Sequence, residues 1–422
     1  PLLDFRQHFM ATGMGFRETS AETRQLQNWI AAPESRLNNP LIRILSYILP
    51  AAAILLLLLA LAGTMPHTYW VLAVLVNLFV SGLFLKQINL VHAAVSRKHL
   101  LLEKFSLLLG HTGRQEFRDD LLNSLRQEGL QACEAIRRLA KIIGFFDQRL
   151  NLMIAALLNG FLLSDLHCVM AIDRWRSRYA PRMPSWLDSI FRIDELNSFA
   201  NFAFNHPAYC YPEFNESNFI QAEQLGHPLI TRGNCVPNDF LPGKDEKVVI
   251  LTGANMSGKS TFLRSLGVNL VLAYAGAPVF ARRFSCCLAG IHSSMRVNDS
   301  LSEDTSYFYA ELKRLSTIME RLRSGQKLFI LLDEILKGTN SADKLYGSTG
   351  LVEEFIRHDC LCLIATHDLE LGKLADKHPQ ISNYCFESTL SDDQLHFDYT
   401  IRKGIARNKN ATFLMQKTGL IK

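Results

Sequence analysis

The sequence predicts a mixed α/β domain, with a mostly parallel sheet flanked by helices, preceded by an all-α region that contains a transmembrane helical hairpin. Two observations predict this fold. In the second half, short apolar runs typical of buried strands end in glycine or acidic residues and alternate with helical patterns. In the first half, two long runs without charged residues follow each other closely.

The clearest motif is a glycine-rich turn between a predicted strand (248–251) and a predicted helix (261–275). It follows the pattern G-x-x-x-x-G-K-S, in which backbone N–H groups surround a phosphate, the lysine reaches the β/γ-phosphates and the serine holds Mg²⁺. The helix N-terminus adds a partial positive charge. A chance match in a glycine turn is the alternative, which the flanking elements disfavour. The predicted nucleotide-binding residues are Gly253, Ala254, Asn255, Met256, Ser257, Gly258, Lys259, Ser260 and Thr261.

Two further predicted strands are followed by polar residues that can bind a metal ion or act in catalysis. The apolar run 329–332 ends in Asp333 and Glu334. One carboxylate can hold Mg²⁺ and the next can polarise an attacking water, so we assign these roles to Asp333 and Glu334 respectively. The run 361–365 leads to His367, which is placed to sense a γ-phosphate, although a purely structural histidine is the alternative. Residues 383–401 alternate around a polar turn and predict a hairpin.

The runs 44–62 and 68–85 contain no charged residue, and each approaches the ~20 residues that cross a bilayer as a helix. Basic residues flank the outer ends of the pair, namely Arg36, Arg43, Lys86, Arg97 and Lys98. The short loop between the runs has neither Lys nor Arg, so both outer ends are predicted to be cytoplasmic. We therefore predict membrane contact through residues 44–85, with the α/β domain in the cytoplasm. A buried hairpin in a soluble core is the alternative.

The predicted domains are a helical N-terminal segment (1–40), the transmembrane hairpin (41–87), a helical core (88–185) and the α/β domain (186–422). The stretch 150–170 is apolar, but its Asn, Asp and His residues favour a core helix over a third span. Pro181 and Pro184 are predicted to close the helical region. The net charge of +5 is not that of an obligate nucleic-acid binder. Nine scattered cysteines without metal spacing indicate reduced thiols.

Several of these segments together resemble the MutS family of mismatch-repair ATPases. The segments are the loop 252–261, residues 332–334, 338–343, 365–367, 227–229, 299–311 and 397–410. The resemblance covers about residues 186–420 and implies an ABC-type P-loop ATPase that uses ATP and Mg²⁺. It also implies a homodimer formed through the ATPase domains, in which Ser306 reaches the nucleotide of the partner subunit, and a link to DNA mismatch repair and DNA binding.

The sequence departs from the family at two places that affect function. The family stacks an aromatic residue on adenine shortly after a His-Pro element, which is His227-Pro228 in this chain, whereas this chain has polar and small residues at 234–238. No mismatch-reading domain with its Phe-x-Glu wedge is visible. Three functions therefore stay open: a clamp on DNA, a membrane-tethered mechanochemical ATPase acting on a protein or membrane partner, and a transporter ATPase. Two spans and the absence of a Leu-Ser-Gly-Gly-Gln signature disfavour the transporter.

Overall fold

A computed structural model describes residues 3–14, 24, 28–30, 35, 37, 39–216, 220–231, 233–295, 307–336, 339–391 and 394–407. The chain divides into two compact units, Pro1–Ser198 and Phe199–Lys422. The division falls within a helix, because Met183–Asn205 is continuous.

The described part of the first unit is helical. Its helices are α1 (Leu3–Met14), α2 (Pro40–Leu61), α3 (Thr68–Leu83), α4 (Leu85–Arg114), α5 (Asp120–Phe146), α6 (Leu152–Leu162), α7 (Ser164–Tyr179) and α8 (Met183–Asn205). The helical spacing of Leu121, Leu125, Ala132, Ile136 and Leu139 predicts one apolar face on α5. The last four of these residues are buried, whereas Leu121 in the first turn is exposed. This face packs into a core that includes Trp186 of α8.

Helices α2 and α3 form the predicted hairpin, but the second helix is shorter than the uncharged run. Helix α2 has 22 residues and is by length and composition able to cross a membrane. Helix α3 ends at Leu83, and the chain bends by 62° before continuing as α4. A span of sufficient length therefore requires α3 together with the first part of α4. Both hairpin helices expose large apolar side chains, for example Leu58 (58%) and Phe79 (67%).

Two predictions in the first unit need correction. The stretch 150–170 is not one core helix, because Leu163 adopts a left-handed conformation (φ 47°) that separates α6 from α7. Helix α7 is buried as predicted, whereas the first half of α6 is exposed. Pro184 does not close the helical region but lies in the first turn of α8, where a missing N–H costs nothing.

The second unit contains two sheets built from β1 (Glu213–Asn215), β2 (Ile220–Leu225), β3 (Asn238–Phe240), β4 (Val248–Gly253), β5 (Arg283–Cys287), β6 (Gly290–Ser294), β7 (Leu328–Asp333), β8 (Cys360–Thr366), β9 (Ile381–Ser391) and β10 (Gln394–Lys403). The smaller sheet has the order β1-β5-β2-β3 and the larger one β10-β9-β4-β8-β7-β6. In the larger sheet, the pairs β9–β4, β4–β8, β8–β7 and β7–β6 are parallel. The pair β9–β10 at the edge is antiparallel. The predicted strands and the hairpin are confirmed.

Helices cover both faces of the larger sheet. They are α9 (Lys259–Tyr274), α10 (Tyr307–Arg323), α11 (Ser341–Phe355) and the single-turn α12 (Leu369–Gly372). Because side chains alternate along β4, Val249 and Leu251 pack on α9 and the smaller sheet, whereas Val248 and Ile250 pack on α10 and α11. Burial on both faces explains why the strands are continuous apolar runs.

The cysteines of the second unit lie mainly in this core. All nine cysteines of the chain are free thiols, and burial raises the pKa of Cys286 and of Cys360 to about 12. Thiols with such a pKa stay protonated at neutral pH and are poor nucleophiles. They therefore contribute packing rather than chemistry.

Candidate functional site

The glycine-rich turn joins the end of β4 to the start of α9. Gly253 has φ 151°, and a Cβ there would lie 2.8 Å from the carbonyl oxygen of Phe386 and 2.9 Å from Ser257 Oγ. Gly258 has φ 109° and stands at the N-terminus of α9. Only glycine fits both positions without strain. Between them Met256 also has a positive φ of 66°, and it is exposed.

Lys259 lies inside this turn rather than in solvent. Its Nζ donates hydrogen bonds to the carbonyl oxygens of Gly253 and Ala254, both at 2.7 Å. Ser257 Oγ is also buried, and it has no hydrogen-bond partner among the described residues. A buried ammonium, a buried hydroxyl and a helix N-terminus at one turn are suited to an anion. The residues present therefore fit a phosphate group.

The acidic pair and the histidine are brought to the same sheet edge. Strands β4, β8 and β7 are parallel neighbours, so their C-terminal ends lie together. Glu334 follows β7 in a left-handed conformation (φ 59°), and its N–H donates to the carbonyl oxygen of Ala365 at 2.8 Å. Its Oε1 lies 3.3 Å from His367 Nδ1. The carboxylate and imidazole that the sequence predicts separately are therefore in hydrogen-bond contact.

Sequence reasoning assigned no role to Glu311, which supports the loop after Glu334. This carboxylate on α10 is buried, and its Oε1 accepts a 2.7 Å hydrogen bond from the N–H of Leu336. Leu336 also has a positive φ, of 56°. Glu311 thus holds a strained segment two residues beyond the predicted base. The residue lies in a segment that carries the family resemblance, but only the fold reveals its contact.

A cavity of about 150 Å³ lies beside the N-terminal turn of α9. It is lined by Leu225, Gly226, His227, Ile230, Asn234, Cys235, Val236, Asn238, Gly258, Thr261, Phe262, Ser265, Phe386 and Tyr399. The segment after the His-Pro element therefore forms one wall without an aromatic side chain. Strand β10 supplies aromatic Tyr399 instead.

Tyr399 is placed by an irregularity in the β9–β10 hairpin. The register shifts between Phe397 and Ile401, and Tyr399 has φ 55°. Asn238 fixes this bulge because its Nδ2 donates to the carbonyl oxygen of Tyr399 (3.0 Å) while its Oδ1 accepts from the N–H of Ile401 (2.7 Å). The alternating pattern predicts the hairpin but not the bulge, so sequence reasoning missed Tyr399.

His227 lies on the cavity wall. Burial, followed by the nearby charge of Arg264, lowers its pKa below the usual value. Its Nδ1 accepts a hydrogen bond from the N–H of Leu229 at 3.2 Å. The turn after His227 is thereby closed.

Ser306 lies outside the described residues, as do positions 337 and 338 of the polar loop. Among the residues that the structure describes, no three His, Cys, Asp or Glu side chains cluster tightly enough to hold a metal ion. A cation at Asp333 would therefore need oxygen ligands from phosphate, which is how Mg²⁺ is commonly bound.

The sequence profile of MutS domain V, the ATPase-bearing part of the MutS family, matches residues 249–419. About half of this chain resembles MutS proteins. It is 34% identical over 233 residues to DNA mismatch repair protein MutS 2 of Halobacterium salinarum, which is 54% of this chain and 26% of that protein. It is 30% identical over 230 residues to DNA mismatch repair protein MutS of Thermotoga petrophila and of Thermotoga maritima, covering 52% of this chain and 28% of each relative. The chain thus spans about a quarter of the length of these curated relatives.

Proposed function

We propose that this protein binds Mg·ATP and hydrolyses it, and the contact between Glu334 and His367 beside the phosphate loop carries this proposal. Lys259 binds the β/γ-phosphates, and Ser260 and Asp333 hold Mg²⁺, which neutralises charge on the phosphate oxygens. Glu334 accepts a proton from the attacking water. His367 orients that carboxylate and contacts the γ-phosphate.

The adenine base is proposed to occupy the cavity next to α9. The cavity adjoins Gly258 and Thr261 of the phosphate loop, so a nucleotide with its phosphates in the loop could place its base in the cavity. Its apolar walls and the ring of Tyr399 suit a flat heteroaromatic group. Tyr399 would thereby replace the aromatic residue that the family places after the His-Pro element.

Tyr399→Ala should weaken ATP binding by roughly 5- to 150-fold, because one base–aromatic stack contributes about 1–3 kcal/mol. Titration calorimetry with ATP and with inorganic triphosphate measures the effect. The affinity for triphosphate should not change, since it lacks a base. Tyr211→Ala, at an exposed tyrosine outside the cavity, is the matched control. Equal ATP affinities for Tyr399→Ala and the wild type would place the base elsewhere.

Two subunits are proposed to enclose the nucleotide, with Ser306 completing the site of the partner. In a variant that binds but does not hydrolyse ATP, Mg·ATP should therefore promote dimerisation, and Ser306→Ala should weaken that dimer. Analytical ultracentrifugation with and without nucleotide measures the change. A protein that stays monomeric in both conditions would exclude a composite site.

The work coupled to hydrolysis has two candidate forms. The names of the relatives connect half of the chain to DNA mismatch repair, which supports a nucleotide-dependent clamp on DNA. The exposed apolar side chains of α2 and α3 favour the alternative, a membrane-tethered mechanochemical ATPase that acts on a protein or membrane partner without mismatch recognition.

DNA binding separates these two candidates. The full chain in detergent is incubated with matched and mismatched duplexes, each with and without ATP, and fluorescence anisotropy gives the affinity. A preference for mismatched DNA that responds to ATP supports the clamp. Equal and weak binding of both duplexes at physiological salt supports the membrane-tethered alternative.

A further inference from the structure

Helix α6 has the surface of a lipid-facing element. Asn159 is its one polar side chain, and it is buried. Leu152, Met153 and Leu157 are 86%, 78% and 61% exposed. The outer face of a helix in contact with water normally carries charged and polar residues, and the exposed face of α6 carries none.

This helix docks on α3, so its apolar surface continues that of the hairpin. The rings of Trp70 and Phe161 stack with centroids 6.3 Å apart. Gly160 lies against Val74, where a Cβ on the glycine would come within 2.9 Å of Val74 Cγ1. Trp70, Val74 and Asn77 are spaced to lie on one face of α3. The small residue permits this close approach of the two helices.

Asn77 is a polar residue in an otherwise apolar helix, and the contact with α6 explains it. Its Nδ2 donates a 2.7 Å hydrogen bond to the carbonyl oxygen of Gly160, and the group is buried. Its Oδ1 accepts no hydrogen bond from the described residues, so the amide contributes to this contact through its Nδ2 donor.

The carbonyl group of Gly160 belongs to the last turn of α6, where helix geometry leaves carbonyl groups without a partner in the helix. The carbonyl group of the preceding residue, Asn159, accepts a hydrogen bond from the N–H of Leu163 at 3.2 Å. In water such groups are hydrated, but within a bilayer they need partners from the protein. The Asn77 bond therefore meets a requirement that arises at membrane depth.

Helix α6 is too short to cross a bilayer. Its 11 residues span about 16 Å at 1.5 Å per residue, roughly half of a ~30 Å hydrocarbon core. We propose that α6 is a third membrane element, a half-length helix that contacts lipid acyl chains and whose C-terminal turn is held by Asn77 of α3. This inference rests on the proposed membrane attachment of the hairpin.

Photo-crosslinking to lipid tests the inference. The full chain is reconstituted in phosphatidylethanolamine–phosphatidylglycerol vesicles with benzoylphenylalanine at one position at a time. Leu157 reports on α6, Leu75 on the hairpin, and Leu121, which is exposed on α5, on surface outside the membrane. Lipid adducts are expected at Leu157 and Leu75 in similar yield, with none at Leu121.

The other outcomes are distinguishable. Adducts at Leu75 without adducts at Leu157 would overturn the inference on α6 and leave the hairpin in the membrane. No adduct at either position would overturn both. Protein–protein adducts at Leu157 in place of lipid adducts would show that a second copy of the chain covers α6.

The role of Asn77 has its own test. Amide hydrogen exchange of the vesicle-bound protein should be faster at residues 159–163 in Asn77→Leu than in the wild type, because the end of α6 loses its anchor. Ser81→Ala, which removes a different buried polar side chain of α3, is the control and should leave this exchange unchanged. Unchanged exchange in Asn77→Leu would contradict the anchoring role.

Discussion

Replacing Glu334 with glutamine should slow ATP hydrolysis by roughly 10²–10⁴-fold while Mg·ATP still binds, because loss of a general base has this typical cost. The amide is isosteric with the carboxylate and can keep the contact to His367 Nδ1, which is 3.3 Å in the wild type. Single-turnover hydrolysis of radiolabelled ATP measures the rate, and filter binding measures the retained nucleotide.

Two variants complete this experiment. Lys259→Ala should lose nucleotide binding itself, since it removes the ammonium that lies inside the glycine-rich turn. Glu320→Gln changes a carboxylate on α10 that accepts a bond from Ser316, and it should hydrolyse ATP like the wild type. Hydrolysis at the wild-type rate in Glu334→Gln would show that another group activates water.

The second large effect is expected at the membrane. The full chain should sediment with membranes and resist carbonate extraction, because each Leu or Ile at the centre of a span contributes about −0.3 to −0.6 kcal/mol to insertion. Leu55 lies in α2 and is 57% exposed. An arginine there costs about 2.5–3.5 kcal/mol on the same scale, so Leu55→Arg should increase the extracted fraction.

A matched substitution separates insertion from folding. Leu130→Arg places the same charge at a partly exposed position of α5, outside the hairpin, and should not change extraction. A cysteine introduced at Thr64, in the loop between α2 and α3, should react with an impermeant reagent from the side of the membrane opposite the second unit. Recovery of the intact wild-type chain in the soluble fraction without detergent would contradict membrane attachment and favour the clamp on DNA.

Local patterns were sufficient to predict β4, β7, β8, the β9–β10 hairpin and α9 of the second unit, but none of the strands of the smaller sheet. The apolar runs of β4, β7 and β8 are buried on both faces of the sheet, so their composition alone identifies them. The glycine-rich turn is also a local feature, because its glycines, lysine and serine are close together in the chain and their conformations follow from the turn between β4 and α9.

The sequence was less informative where two successive helices have similar composition but different exposure. Residues 150–170 have one continuous apolar character, yet the left-handed Leu163 separates an exposed helix from a buried one. Hydrophobic composition cannot distinguish contact with lipid from contact with a protein core, because both environments accept the same side chains. Only the packing of α6 on α3 identifies which of its side chains remain exposed.

By itself, then, the sequence determined which residues form the glycine-rich turn, which strands lead to Asp333 and His367, and which runs are free of charge. The tertiary structure decided which of these meet. Glu334 and His367 are 33 positions apart, Asn77 and Gly160 are 83 apart, and Asn238 and Tyr399 are 161 apart. Such contacts depend on strand order, on a bulge and on helix docking, which arise when distant segments bury apolar surface together and which no local periodicity encodes.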